Sequence, residues 1–226
     1  MALVICDIST SLDGYVTGPN DSRENPFGDG AGMLHDWMFD AATDEDRAIL
    51  QEMLDGVGAI VMGRKGFDKN EGDGGWGDGG PVGDTPCFVV THNTPTTSYP
   101  SVYTFVTDGV VSAIEQAKSA AGDKVVGLHG ATIMQQSLPL GLVDEIRVHV
   151  IPVLLGGGTP CSTGSTRRSP SNAPMCWLPL PRRTWGFGWS GKPQQDATRP
   201  AGFKAEEALR CRSGVNELDG RARILK

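Results

Sequence analysis

Ile, Leu and Val decide where a chain can build a core, and here they are unevenly spread: 36 fall in residues 1–159 and 7 in residues 160–226. Charge breaks at the same point. Residues 1–159 carry 8 basic and 22 acidic side chains, a net of −14, and residues 160–226 carry 12 and 5, a net of +7. The first part can bury enough apolar surface to fold, and the second part cannot. The expected organisation is one domain over 1–159 followed by an atypical basic tail over 160–226, disordered by composition.

Composition excludes several classes. No apolar run approaches the ~20 residues of a membrane helix. The start, MALVICDIST, has no basic region and carries an early Asp7, unlike a secretory signal. The five cysteines form no metal-ligand spacing, so no metal is expected. Cys6 and Cys87 sit in apolar runs and read as small buried hydrophobes of a reducing, cytoplasmic protein. The acidic body argues against a nucleic-acid partner.

Along the first part, apolar runs rich in β-formers predict strands at 2–9, 58–62, 86–91, 102–106, 124–128 and 145–155. Helical spacing predicts helices at 34–40, 44–55, 109–121 and 131–138. Strands alternating with helices predict an α/β domain with a mainly parallel sheet. The glycine-rich stretch 70–84 around Trp76 reads either as a lid or as a disordered connection.

Loops after strands are where open α/β sheets hold ligands. Gly63-Arg64 lets the backbone approach a phosphate and adds a charge-assisted clamp, although a plain helix start with a surface arginine reads the same way. Gly130-Ala131-Thr132-Ile133 opens a helix with small residues but does not form GxGxxG, and His129 before it is either a ligand contact or solvated. Thr91-His92 could meet a ribose phosphate or be ordinary turn residues. Asp13-Gly14 is a turn pair whose carboxylate could instead relay a proton or orient a substrate amine. Trp37 could line a flat-ligand pocket or belong to the core.

Taken in order, several segments resemble one family. They are Ser11-Leu12-Asp13-Gly14-Tyr15-Val16, Val61-Met62-Gly63-Arg64-Lys65, Phe88-Val89-Val90-Thr91-His92, and Gly141-Leu142-Val143-Asp144-Glu145-Ile146 running to Pro152-Val153-Leu154-Leu155-Gly156-Gly157-Gly158. The set is similar to the dihydrofolate-reductase-like family typified by the reductase domain of the riboflavin-biosynthesis deaminase-reductase. The resemblance implies a mixed, mostly parallel sheet flanked by helices, with NADPH across the carboxyl ends of the strands. It implies cofactor contacts at Gly63, Arg64, Thr91, His92, Gly130, Ala131, Thr132 and Ile133. Asp13 would be the catalytic group, with Asp13, Gly14 and Trp37 at the substrate. The implied activity is hydride transfer to a small heterocycle, as in 5-amino-6-(5-phosphoribosylamino)uracil reductase, with a homodimer as the assembly. A pterin or dihydrofolate reductase and a non-catalytic nucleotide-binding remnant are the alternatives.

The resemblance stops near Thr159. Codons can be chosen for Cys161 to Arg167 that read Leu-Phe-Asp-Arg-Leu-Asp-Ala in a shifted frame, a segment like the one the family shows there. Codons for Arg183 to Ser190 likewise allow an alternating strand. A one-base frameshift is the expectation, with the final strand lost and strand 145–155 left without its hairpin partner. The rival reading is a basic arm that binds nucleic acid or an acidic partner.

Overall fold

The computed structural model describes residues 2–39, 42–71, 75–162 and 175–177. Its centre is a sheet of β1 (Val4–Ser11), β3 (Val57–Gly63), β4 (Cys87–Val90), β5 (Tyr103–Val106), β6 (Val125–His129), β7 (Glu145–Ile151) and β9 (Met175–Trp177), in the order β5-β4-β3-β6-β1-β7-β9. Every pairing in it is parallel. A separate antiparallel ribbon joins β2 (Tyr15–Thr17) to β8 (Thr159–Pro160). The strands are connected by α1 (Asp44–Gly56), α2 (Arg64–Asn70), α3 (Val110–Ala121) and α4 (Ala131–Ser137).

Local chemistry sets the helix ends. Thr43 caps α1 through a capping box: the Asp46 N–H donates to Thr43 Oγ1 at 3.1 Å, and the Thr43 N–H donates to Asp46 Oδ2 at 2.9 Å. Gly130 precedes α4 at φ +89°, a conformation L side chains rarely adopt.

Alternation along the strands divides the packing between two faces. Val4 and Cys6 of β1, Ala59 and Val61 of β3, and Val126 and Leu128 of β6 join the core built with α3 and α4. On the opposite face, Ile60 and Met62 pack with Phe67 of α2. At the far end of that face, Ile151 packs with Ala31, Leu34 and Trp37, and with Ile49 and Met53 of α1. Cys6 and Cys87 are fully buried free thiols, as their apolar runs predicted.

Three expectations are corrected. The segment predicted as a helix over 34–40 forms two 3-10 turns, Gly32–Leu34 and Asp36–Met38, neither with a side-chain cap. Buried Leu34 and Trp37 fix these turns through tertiary packing rather than helical propensity. The strand predicted to reach 155 ends at Ile151, because Pro152 has no N–H for a ladder. The outer side of β7 is not bare, since Ile146, Arg147 and Val148 pair in parallel with Met175, Cys176 and Trp177. Residues 75–84 are held to the body, with the Trp76 N–H donating to Asn70 O at 2.9 Å and the Tyr103 hydroxyl to Gly79 O at 2.7 Å. The rest of the tail expectation, residues 163–174 and 178–226, lies outside the described residues.

Candidate active site

The two packed regions on the second face leave a trough between them, over β6 and β1. The register aligns Ile60, Gly127, Ile5 and Glu145 in one row across four strands. Gly127 has no side chain to fill that floor, and a Cβ there would come within 3.2 Å of Val57 Cγ2. The result is a cleft of about 1230 Å³ that reaches the residues following β3, β4, β5 and β6.

Nine of the eleven residues singled out in the sequence line this cleft: Trp37, Gly63, Arg64, Thr91, His92, Gly130, Ala131, Thr132 and Ile133. Gly63 ends β3 and Arg64 begins α2. Arg64 Nε donates to Asp68 Oδ1 at 2.6 Å, and its guanidinium lies 5.8 Å from the Phe67 ring centroid. These contacts orient the cation along the rim. Thr91 is turned inward, its hydroxyl donating to Asn93 O at 3.0 Å.

Asp13 and Gly14 do not line the cleft. The Asp13 carboxylate accepts from the Ser11 hydroxyl at 2.6 Å, the Leu155 N–H at 3.1 Å and the Gly156 N–H at 2.7 Å. The Ser11 hydroxyl and the Gly156 amide, ahead of Leu155, hold its pKa down to about 2. A carboxylate stabilised in this way is a poor proton donor, and here it ties the β1–β2 turn to the 155–158 loop. Trp37 lines the cleft as part of a packed wall. It is 7% exposed, its Nε1–H donates to Ser9 Oγ at 3.0 Å, and one face stacks on His149 at 4.5 Å and 27°.

The cleft also gathers polar groups that the motif search passed over. Asp7 and Ser9 of β1 lie in register with Arg147 and His149 of β7. All four line the cleft. Polar residues at every second position inside apolar central strands were the available signal. Nearer the middle, His129, which the sequence reads as either a ligand contact or a solvated residue, lines the cleft and meets Trp76 edge-on at 5.3 Å, and His35, which the sequence does not single out, stacks on Phe27 at 4.4 Å. Burial lowers the pKa of each imidazole to about 4, and each keeps a buried Nδ1 without a hydrogen-bond partner. Among the described residues no cluster of His, Cys, Asp or Glu could hold a metal ion, and no helix is long and apolar enough to cross a membrane.

The sequence profile of the RibD C-terminal domain matches residues 2–173. The chain belongs to the RibD C-terminal domain family. "Uncharacterized protein YyaP" of Bacillus subtilis (strain 168) is 25% identical to it over 169 residues, covering 70% of this chain and 78% of that one. Among solved structures, "Putative riboflavin biosynthesis protein" from Shewanella sp. PV-4 is similar with a TM-score of 0.52 and 25% identity, covering 74% of this chain and 86% of that one. The fold is thus the dihydrofolate-reductase-like arrangement of the RibD reductase type, and membership carries a reductase-like function.

Proposed function

We propose that this RibD C-terminal domain protein is an NADPH-dependent reductase acting on a C=N or C=O group of a small heterocycle. The observation that carries the reading is the cleft lined by the residues after β3, β4, β5 and β6. Its volume of about 1230 Å³ exceeds the roughly 300–1,000 Å³ of an ordinary ligand pocket, which leaves room for a dinucleotide beside a small substrate. The floor fits the same group, because Gly127 puts no side chain on it.

Gly130, at φ +89°, lets the chain turn at the rim, and Gly63 precedes Arg64, which supplies a cation for a phosphate. Thr91 and His92 border the end where a ribose phosphate would sit, and Ala131, Thr132 and Ile133 form the facing wall. When bound, NADPH supplies the hydride. The protein aligns donor with acceptor, while the Trp37 wall keeps water from the reacting end. The substrate proposed is 5-amino-6-(5-phosphoribosylamino)uracil or a pterin-like relative.

The test is NADPH consumption with that ribosylaminouracil and with dihydrofolate. Substrate-dependent oxidation supports the reading. Tight binding without turnover on either compound would instead favour a non-catalytic nucleotide-binding protein.

For residues 160–226 we propose a shifted reading frame, supported by the coincident breaks in Ile/Leu/Val content and in charge. Resequencing the gene decides it, and a clean frame with no recoverable family segment sinks it.

A further inference from the structure

At the β1–β7 end of the cleft, an acid and a base are held together in a way that cofactor binding does not use. His149 Nε2 lies 2.5 Å from Asp7 Oδ1. The His149 side chain is 1% exposed and that of Asp7 is 15% exposed, so of the two Asp7 has the access to the cleft. The imidazole is clamped by Trp37, which is fixed in turn by Ser9. His149 Nδ1 is buried without a hydrogen-bond partner.

The charged and titratable groups around the pair are Arg147, Glu145, Glu52, Cys6 and Asp36. On β7, Arg147 stands opposite Asp7 and is bound by Glu145 at 2.7 Å. From α1, Glu52 acts electrostatically on Arg147. Cys6, next to Asp7 on β1, is kept as a thiol because burial raises its pKa. Asp36, beside Trp37, is exposed and acts on His35.

We propose that Asp7 and His149 form the proton-donating pair of the reduction, with Asp7 touching the substrate and His149 positioning it. This rests on the reductase reading above. An imidazolium would bury an unpaired N–H at Nδ1, which is costly. Nε2 is therefore the ring nitrogen that carries hydrogen, donating to Asp7 Oδ1, and a further proton taken up by the pair sits on the Asp7 carboxyl group. As the carbon of the substrate's C=N or C=O accepts hydride from reduced nicotinamide, its heteroatom takes this proton. The Asp7 O–H bond breaks, its electron pair stays on the carboxylate, and a new N–H or O–H bond forms on the product. Asp7 regains its proton from solvent after release.

Two measurements on the full chain test the pair. The first is ring-15N NMR of wild type, Asp7→Asn and His149→Gln across the neutral range. Wild type is expected to keep the Nε2–H tautomer, with an Nε2–H resonance that Asp7→Asn displaces. A His149 ring exchanging between tautomers as in solution overturns the pair. The second is single-turnover hydride transfer from NADPH to the ribosylaminouracil as a function of pH. Asp7→Asn is expected to lose about 100-fold or more, the usual scale of a general acid. His149→Gln, which keeps an amide donor, is expected to lose less but to displace the alkaline limb of the profile, where the donor loses its proton. A folded Asp7→Asn variant with an unchanged rate and profile overturns the assignment. If Asp7→Asn does not fold, an unmoved limb in His149→Gln does so. A wild type that binds no NADPH fails the reductase reading instead, a result the NMR arm keeps separate.

Discussion

Two aspartates on the same stretch of chain do opposite work. Asp13 sits in the motif that resembles the family, yet two of its three hydrogen bonds hold the 155–158 loop, the third comes from Ser11, and together they leave it ionised down to about pH 2. Its stabilising effect is present above the ordinary carboxylate pKa and is lost only as pH falls through about 2. Asp13→Asn should therefore lower the melting temperature and leave the shape of the pH–rate profile unchanged; a displaced limb would argue for a direct role. Asp7 carries no motif, and only its spacing from Ser9 on β1, matched by Arg147 and His149 on β7, marks it. That spacing was legible in the sequence, whereas the partnership was not, because it depends on the register of two strands 140 residues apart. Gly127 gives the other prediction at this scale. Gly127→Val places a branched side chain against Val57 on the cleft floor. NADPH and heterocycle binding measured by calorimetry should weaken by at least tenfold, with the fold retained by circular dichroism.

Among elements, those with a clear periodic pattern were the readable ones. α1 and α3 follow their helical stripes closely, and α1 begins at the Thr43 capping box. The 3-10 turns over 32–38 were misread because the apolar spacing of Leu34 and Trp37 looks helical, while contacts with β1 and β7 set the geometry. The β2–β8 ribbon was not foreseen, since β8 is two residues long and its partner lies far off in sequence. α2 links packing to the site. Phe67 is fully buried, with Tyr99, Tyr103 and Phe105 edge-on at 5.0, 4.9 and 5.2 Å, and it lies under Arg64. Phe67→Ala should cost about 3–5 kcal/mol in denaturant unfolding. It should also weaken NADPH binding by freeing Arg64. A stability loss with unaltered affinity would show that Arg64 is not positioned this way.

For the molecule as a whole, the cleft carries a stability cost at low pH. His35 and His129 titrate near 4 in the folded state because burial disfavours their charged forms, against 6.5 when unfolded. The unfolded state thus binds more protons in this window, so stability falls as pH drops from about 6.5 to about 4, by up to about 3 kcal/mol per histidine. Urea unfolding between those pH values checks the sign, and replacing both histidines with Gln should flatten the slope.

The central claim is that this cleft holds a reduced nicotinamide dinucleotide at the carboxyl ends of the strands. A fluorescence titration of the full chain with NADPH, run beside Arg64→Ala, tests it most directly. The account predicts saturable binding in the wild type, weakened about tenfold or more in the variant through loss of a charge-assisted contact. Equal affinity in the two proteins, or no saturation at all, would contradict it.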